Sequence, residues 1–346
     1  MQSAQEMTMH RPRSKNRRIV GLLTTLLLAT SASATINQPG TLDPFWGTGS
    51  ALGPGKVIAT LPTANNSANA MVLQPDGKVI LAGGCNNSFC AARHLSDGTL
   101  DASFGALGSV VTPVGGASDA ANAVVLQSDG KIILAGTCSN GAVTNFCALR
   151  YQPNGTLDTS FNSIGTLGTS LTGSYDKANA AVLQPDGKLV LAGTCGVEPT
   201  RDFCAARYLP NGTLDAAFGI SGKLILPVGG GDDDAKTVAL TPDGKLVLAG
   251  RCKAGAIFQF CAVRLNSGTG TLDSTFNGTG TLGTFVGDSS VIVTSAIVQP
   301  DLKLVLIGAC QSNSVGNFCA VRYDRFGALD QGFGIGGKVI TPVGVE

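Results

Sequence analysis

The sequence predicts an all-β chain: a β-propeller of about five four-stranded antiparallel blades, with one disulfide per blade and one terminal strand left over. Three observations predict it. Ten cysteines fall into five pairs, Cys85/Cys90, Cys138/Cys147, Cys195/Cys204, Cys252/Cys261 and Cys310/Cys319, whose second members advance by 57, 57, 57 and 58 residues. A fixed period of this order marks stacked-repeat architectures. Each period holds four short runs of β-branched and apolar residues bounded by turn signals, and no run shows a helical stripe. Four strands per period is the content of a propeller blade, whereas a sandwich would use about a hundred residues per domain.

Taken in order, residues 1–34 read as a signal peptide. Arg11, Arg13, Lys15, Arg17 and Arg18 form a basic region, residues 19–29 an apolar run, and Ala32-Ser33-Ala34 a cleavage site. Residues 35–346 then read as one propeller domain, with repeats near 56–95, 109–151, 166–208, 223–265 and 280–323 and a terminal strand at 338–343. The second repeat shows the pattern: strand a at 109–114, b at 121–127, c at 131–138 and d at 146–151. Runs such as VVL and KIIL do not alternate polar with apolar residues, so both faces of the sheet are expected to be buried against neighbouring sheets.

Strands b and c are joined by PDGK at 75–78, 185–188 and 242–245 and by SDGK at 128–131. Pro presets the turn dihedral, Asp caps it and Gly takes the positive φ of a tight hairpin. The fifth copy has Asp301-Leu302-Lys303, with Leu in the Gly position, so that turn is expected to be strained or built differently. One cysteine of each pair ends strand c and the other starts strand d. They are expected to face each other across an outer hairpin, and ten cysteines behind an export signal fit an oxidising compartment. Metal binding by the pairs is disfavoured, because the spacing is wrong for a zinc site and no histidine lies near.

The recurring TLDxxFG, the PDGK hairpin and the c-strand LAG together resemble the bacterial delta-60 repeat family over about residues 38–346. That resemblance implies a β-propeller and brings no established activity, catalytic residue or ligand. The a-type segment occurs six times, near Lys56, Ser109, Thr166, Lys223, Thr281 and Lys338, but the b–c–d unit only five. One terminal copy is therefore surplus.

Without residues 1–34 the chain carries 19 Lys and Arg against 22 Asp and Glu, which is no nucleic-acid balance. No transmembrane segment is read in the mature chain. His94 is the single histidine of that chain and fills a d-strand slot held elsewhere by Tyr151, Tyr208, Leu265 and Tyr323, which points to a structural role. GDDDAKT at 231–237 lacks the Gly of a phosphate loop and would repel phosphate. No serine elbow or metal-ligand motif is present, so the sequence predicts no enzyme and no cofactor. The cluster Asp232, Asp233 and Asp234 is the one place where calcium is entertained.

One arginine recurs in each d strand: Arg93, Arg150, Arg207, Arg264 and Arg322. A ring of free cations would bind an anion. The favoured reading pairs each with the carboxylate of a TLD turn, Asp101, Asp158, Asp215, Asp273 and Asp330, because a buried charge needs a partner. Ten of the 14 Phe occupy two repeat slots, a poor supply of platforms for sugar. The b–c and d–a turns are monotonous, whereas the a–b and c–d loops vary, and variable loops on a rigid frame are where recognition is expected. The candidate binding residues are Asp119, Tyr175, Asp176, Arg201, Asp232, Asp233, Asp234, Phe258 and Asp288. The expected function is an exported, non-enzymatic scaffold for an unidentified protein or cell-surface ligand. The alternatives are an extracellular propeller enzyme acting on glycans or another polymer, and a structural envelope component.

Overall fold

A computed structural model of the chain describes residues 42, 46–47, 55–58, 61, 63, 65–288, 291–312 and 315–342. The candidate signal peptide lies outside them, as do residues 59–60 of the first a-type copy. The described strands form five separate four-stranded antiparallel sheets. The first blade contains β1 (Asn66–Leu73), β2 (Val79–Cys85), β3 (Ser88–His94) and β4 (Ser109–Thr112). The second contains β5 (Ala120–Leu126), β6 (Ile132–Ser139), β7 (Thr144–Tyr151) and β8 (Thr166–Thr169). The third contains β9 (Asp176–Leu183), β10 (Leu189–Cys195), β11 (Asp202–Tyr208) and β12 (Lys223–Leu226). The fourth contains β13 (Asp234–Leu240), β14 (Leu246–Ala254), β15 (Ile257–Leu265) and β16 (Thr281–Thr284). The fifth contains β17 (Val291–Val298), β18 (Leu304–Ser312), β19 (Val315–Tyr323) and β20 (Lys338–Pro342).

The blade is offset from the sequence repeat by one strand. Each sheet runs b–c–d and then takes the a strand of the following repeat, so β3 pairs with β4 and β19 with β20. The b strands of successive blades pack on one another and are innermost, while the a strands lie at the outer rim. The c–d hairpin is thus the centre of each blade, which corrects the expectation that the disulfides clip an outer hairpin. Five a-type copies fill the five outer positions. The copy near Lys56 is the one left over, and its described residues belong to none of the sheets.

All ten cysteines are bridged as the spacing predicts: Cys85 to Cys90, Cys138 to Cys147, Cys195 to Cys204, Cys252 to Cys261 and Cys310 to Cys319. Their placement corrects a second expectation. Cys90, Cys147, Cys204, Cys261 and Cys319 do not start their d strands but lie inside them. Nor do they face their partners. They stand opposite Gly83, Gly136, Gly193, Gly250 and Gly308, each two positions before the cysteine that the bridge reaches. The bridges are therefore diagonal. Side-chain alternation keeps both cysteines on one face of the sheet, and strand twist brings that diagonal together, at Cα–Cα distances of 5.7–5.9 Å. Each of the four longer clips closes about ten residues, which constrains the unfolded chain by about 2–3 kcal/mol.

The core consists of four apolar clusters, one between each pair of consecutive blades. Strands β6 and β10 are buried on both faces, as their unalternating sequences require. The b strands carry a bulge that leaves Asn69, Asn122 and Asn179 outside the ladder. Their amides donate to the carbonyls of Ala121, Ala178 and Ala235 on the next blade at 2.9, 2.8 and 2.7 Å. The bulge also explains the glycine of LAG: a Cβ at Gly193 would overlap the Lys177 carbonyl oxygen, and one at Gly136 the Ala120 oxygen.

The fifth b–c turn is built like the others, with Leu302 N–H donating to Gln299 O at 2.9 Å as Gly77 does to Gln74 at 3.0 Å. Leu302 therefore sits at φ 67°, in the left-handed region. An L-residue there costs about 1–2 kcal/mol, against about 0.5–1 kcal/mol of chain entropy for glycine. Leu302→Gly is expected to raise stability by about 0.5–1 kcal/mol in thermal unfolding; a loss would show that Leu302 packing outweighs the strain.

Candidate functional site

The repeating arginines come first, because their geometry decides whether they form an anion ring. Arg93, Arg150, Arg264 and Arg322 place Nε 2.7–2.8 Å from Oδ2 of Asp101, Asp158, Asp273 and Asp330, and Arg207 lies 2.9 Å from Asp215. Each guanidinium also lies over the Phe of its TLD turn, from Phe218 at 4.5 Å to Phe161 at 4.8 Å, a cation–π arrangement. The hairpin lysines complete the unit: Lys78, Lys131, Lys188, Lys245 and Lys303 approach the same five carboxylates at 2.5–3.4 Å. Four arginines then reach the next blade. Arg93, Arg150 and Arg264 donate through Nη1 to the carbonyls of Pro153, Pro210 and Arg325, and Arg207 reaches Ser267 and Gly268. These side chains rivet blades together.

The turn carboxylates respond accordingly. Burial pushes Asp158 up, but hydrogen bonds from Ser160 and the charge of Arg150 outweigh it and bring its pKa down to about 2. Asp101 is held well below the usual range in the same way: Ser103 and Lys78 hydrogen bonds and the Arg93 charge overcome the cost of burial. The next-blade contacts leave no mark within one repeat, and the one sequence signal of the lysine contacts is the recurrence of lysine in PDGK, which turn chemistry alone also explains.

On the opposite face, the candidate loop residues divide into two groups. Asp119, Asp176 and Asp233 are buried. Asp119 accepts the N–H groups of Val114 and Gly115 at 2.8 Å and of Ser139 at 3.1 Å. Asp176 accepts Leu171 N–H at 2.7 Å and the Thr172 hydroxyl at 2.6 Å. Asp233 accepts Val228, Gly229 and Lys253 N–H groups at 2.9, 2.7 and 3.1 Å. Each carboxylate folds an a–b loop, and Asp119 and Asp233 tie theirs to the c–d loop of the same blade. Burial raises the Asp233 pKa, against the pull of these N–H groups. Burial, with the neighbouring Asp233 charge, also raises that of Asp202. Asp288 donates its N–H to Gln311 O at 2.9 Å.

Of the remaining candidates, Tyr175, Arg201 and Asp232 come together on neighbouring loops, whereas Asp234 and Phe258 do not. The Arg201 guanidinium lies 4.6 Å over the Tyr175 ring and 2.6 Å from Glu198. Asp232 accepts the Arg201 N–H at 3.2 Å, and Asp233 donates its own N–H to Arg201 O at 2.8 Å. Asp234 is drawn off by Lys236 at 2.7 Å and by the Thr194 hydroxyl at 2.6 Å. Phe258 lies under the Arg251 guanidinium at 4.4 Å and packs against the core between the fourth and fifth blades. The three aspartates at 232–234 therefore point to three different sets of partners. Among the described residues no cluster of three metal-ligating side chains is present, and no described helix is long and apolar enough to cross a membrane. His94 is buried, with Nδ1 2.9 Å from Gly98 O.

Four segments, 74–104, 127–161, 184–218 and 241–276, match the family described as "Domain of unknown function (DUF5122) beta-propeller". Each covers the b–c turn, strands c and d and the following turn of one blade, so four of the five blades are similar to the repeats of that β-propeller family. No curated protein matches the sequence significantly. Among solved structures, a protein from Lactobacillus plantarum is 13% identical with a TM-score of 0.45, covering 78% of this chain and 71% of that one. The polysaccharide lyase Uly1 is 11% identical, with a TM-score of 0.42 and coverages of 83% and 74%. A virginiamycin B lyase from Staphylococcus aureus is 10% identical, with a TM-score of 0.38 and coverages of 78% and 89%.

Proposed function

We propose that this β-propeller repeat chain, of the delta-60 kind, is an exported, non-enzymatic scaffold that binds a protein or cell-surface ligand through its a–b and c–d loops. One observation carries the reading: Tyr175, Arg201, Glu198 and Asp232 form a connected polar and aromatic patch on loops from adjacent blades. The roots of the loops are fixed by buried aspartates and by the disulfides at the ends of the c strands. A patch held this way loses little conformational entropy on binding. Five disulfides support an oxidising compartment.

The test is capture of partners from native envelope and medium by the purified chain, alongside a variant carrying Arg201→Glu and Asp232→Lys. Loss of the captured partner with unchanged thermal stability is the expected outcome. A variant that retains every partner would move binding away from this face. Cleavage of an extracellular polysaccharide by the purified chain would replace the scaffold reading with an enzymatic one.

A further inference from the structure

Among the described residues no apolar cluster joins the fifth blade to the first, and both outward faces are apolar. Phe89, Phe146, Phe203 and Phe260, the residues before the second cysteines, are 0% exposed between blades, whereas Phe318 in the same slot is 66% exposed. Met71 and Leu73 on the first blade are 68% and 63% exposed, whereas the matching Val124 and Leu126 pack against a preceding blade. Stacked-repeat proteins ordinarily end in polar faces, so apolar ends mark an interaction surface.

The four internal junctions show what such a face accepts. Each sends a Phe, an arginine and a backbone N–H into the next blade. Those N–H groups, from Gly105, Asn162, Gly219 and Asn277, reach Asn154, Asn211, Thr269 and Phe326 carbonyls at 2.6–2.8 Å. On the fifth blade, Arg322 bonds only to Asp330 and Gly332 of its own blade among the described residues.

The first blade holds the complement. Gly47 N–H donates to Asp97 O at 2.7 Å, as Gly105 does to Asn154. Trp46 and Val57 lie against Gly98, where Phe104 lies against Gly155. Trp46, Gly47 and Val57 therefore stand on the first blade as the outer edge of one blade stands on the next. Side-chain sizes also match. Ile307 replaces the alanine found at 82, 135, 192 and 249, and the first blade has Ala92 at the position held by Leu149, Ala206, Val263 and Val321, so the larger residue of the fifth blade would meet one of the two smallest.

We propose that the fifth blade of one copy docks on the first blade of a second copy, whose Lys56, Val57 and Ile58 take the fourth-strand place that β20 holds in the free chain. A second copy fits better than closure of the same chain. The four internal junctions repeat the same contacts and still leave the ends apart, so closure would have to bend them, whereas a second copy repeats them unchanged. The contact uses different faces on the two copies and is heterologous.

Light scattering on the mature chain over a concentration series tests this. The mass is expected to rise with concentration. Phe318→Asp and a Met71→Asp/Leu73→Asp variant are each expected to stay monomeric, both at exposed positions that leave the fold intact. An equimolar mixture of the two is expected to form a dimer that grows no further, because each variant keeps the face the other lacks. Amide exchange at Val339 and Ile340 is expected to rise on association. An intact chain monomeric at every concentration, or a mixture that stays monomeric, overturns the proposal; protection of β20 overturns the strand exchange.

Discussion

Arg207→Met is expected to lower stability by about 3 kcal/mol, the lower end of the cost of breaking a buried ion pair because Lys188 still faces Asp215 at 3.4 Å, and to lower Tm by about 10 °C. Arg207 is 1% exposed. Its guanidinium faces Asp215 at 2.9 Å, the Phe218 ring at 4.5 Å and the Gly268 carbonyl at 2.7 Å. The side chain thus joins its own turn to the next blade, and its loss weakens both. Arg207→Lys keeps the charge but loses the planar fork, so it is expected to recover only part of the stability. Thermal unfolding of the three proteins decides the matter. A Met variant as stable as the parent would return these arginines to the role of anion ligands.

Acid is expected to unfold the protein through the same units. A carboxyl whose folded pKa is depressed contributes stability above its unfolded pKa of about 3.9, and that contribution is lost as pH falls through the folded value. With Asp158 at about 2, the window runs from about pH 4 down to about pH 2. Solvent screens part of the interaction, so Asp158 is worth about 1–2 kcal/mol. Asp101 and Asp273 are depressed in the same sense, so the losses accumulate over one narrow range. Asp158→Asn is expected to lose this stability at neutral pH and to flatten the acid limb of the unfolding profile. An unchanged acid limb would place the titrating groups elsewhere.

The features legible in the sequence are those written within one repeat. The cysteine pairs, the PDGK turn and the run KIILAGTC place two strands, their hairpin and its disulfide within a few residues of one another. The register of that hairpin was not legible: Cys147 lies opposite Gly136 and not opposite Cys138, because strand d begins at Thr144, ahead of its cysteine. The Arg150–Asp158 pair was legible, since its partners lie eight residues apart. The contact from Arg150 to Pro210, 60 residues on, was not. Nor was the burial of Asp119, Asp176 and Asp233, whose loops read as exposed until their own N–H groups are seen around the carboxylates.

By itself the sequence determined the number of blades, the four strands of each, the pairing of all ten cysteines and the pairing of each arginine with its turn aspartate. Those features depend on short-range chain geometry, repeated. The tertiary structure decided that the a strand joins the preceding blade, that the disulfide hairpin is central and its bridges diagonal, and that Trp46, Gly47 and Val57 rest on the first blade while Phe318 of the fifth stays exposed. Those depend on strand register and on how one blade packs on the next, and a sequence period records the length of a repeat but not the angle between its copies.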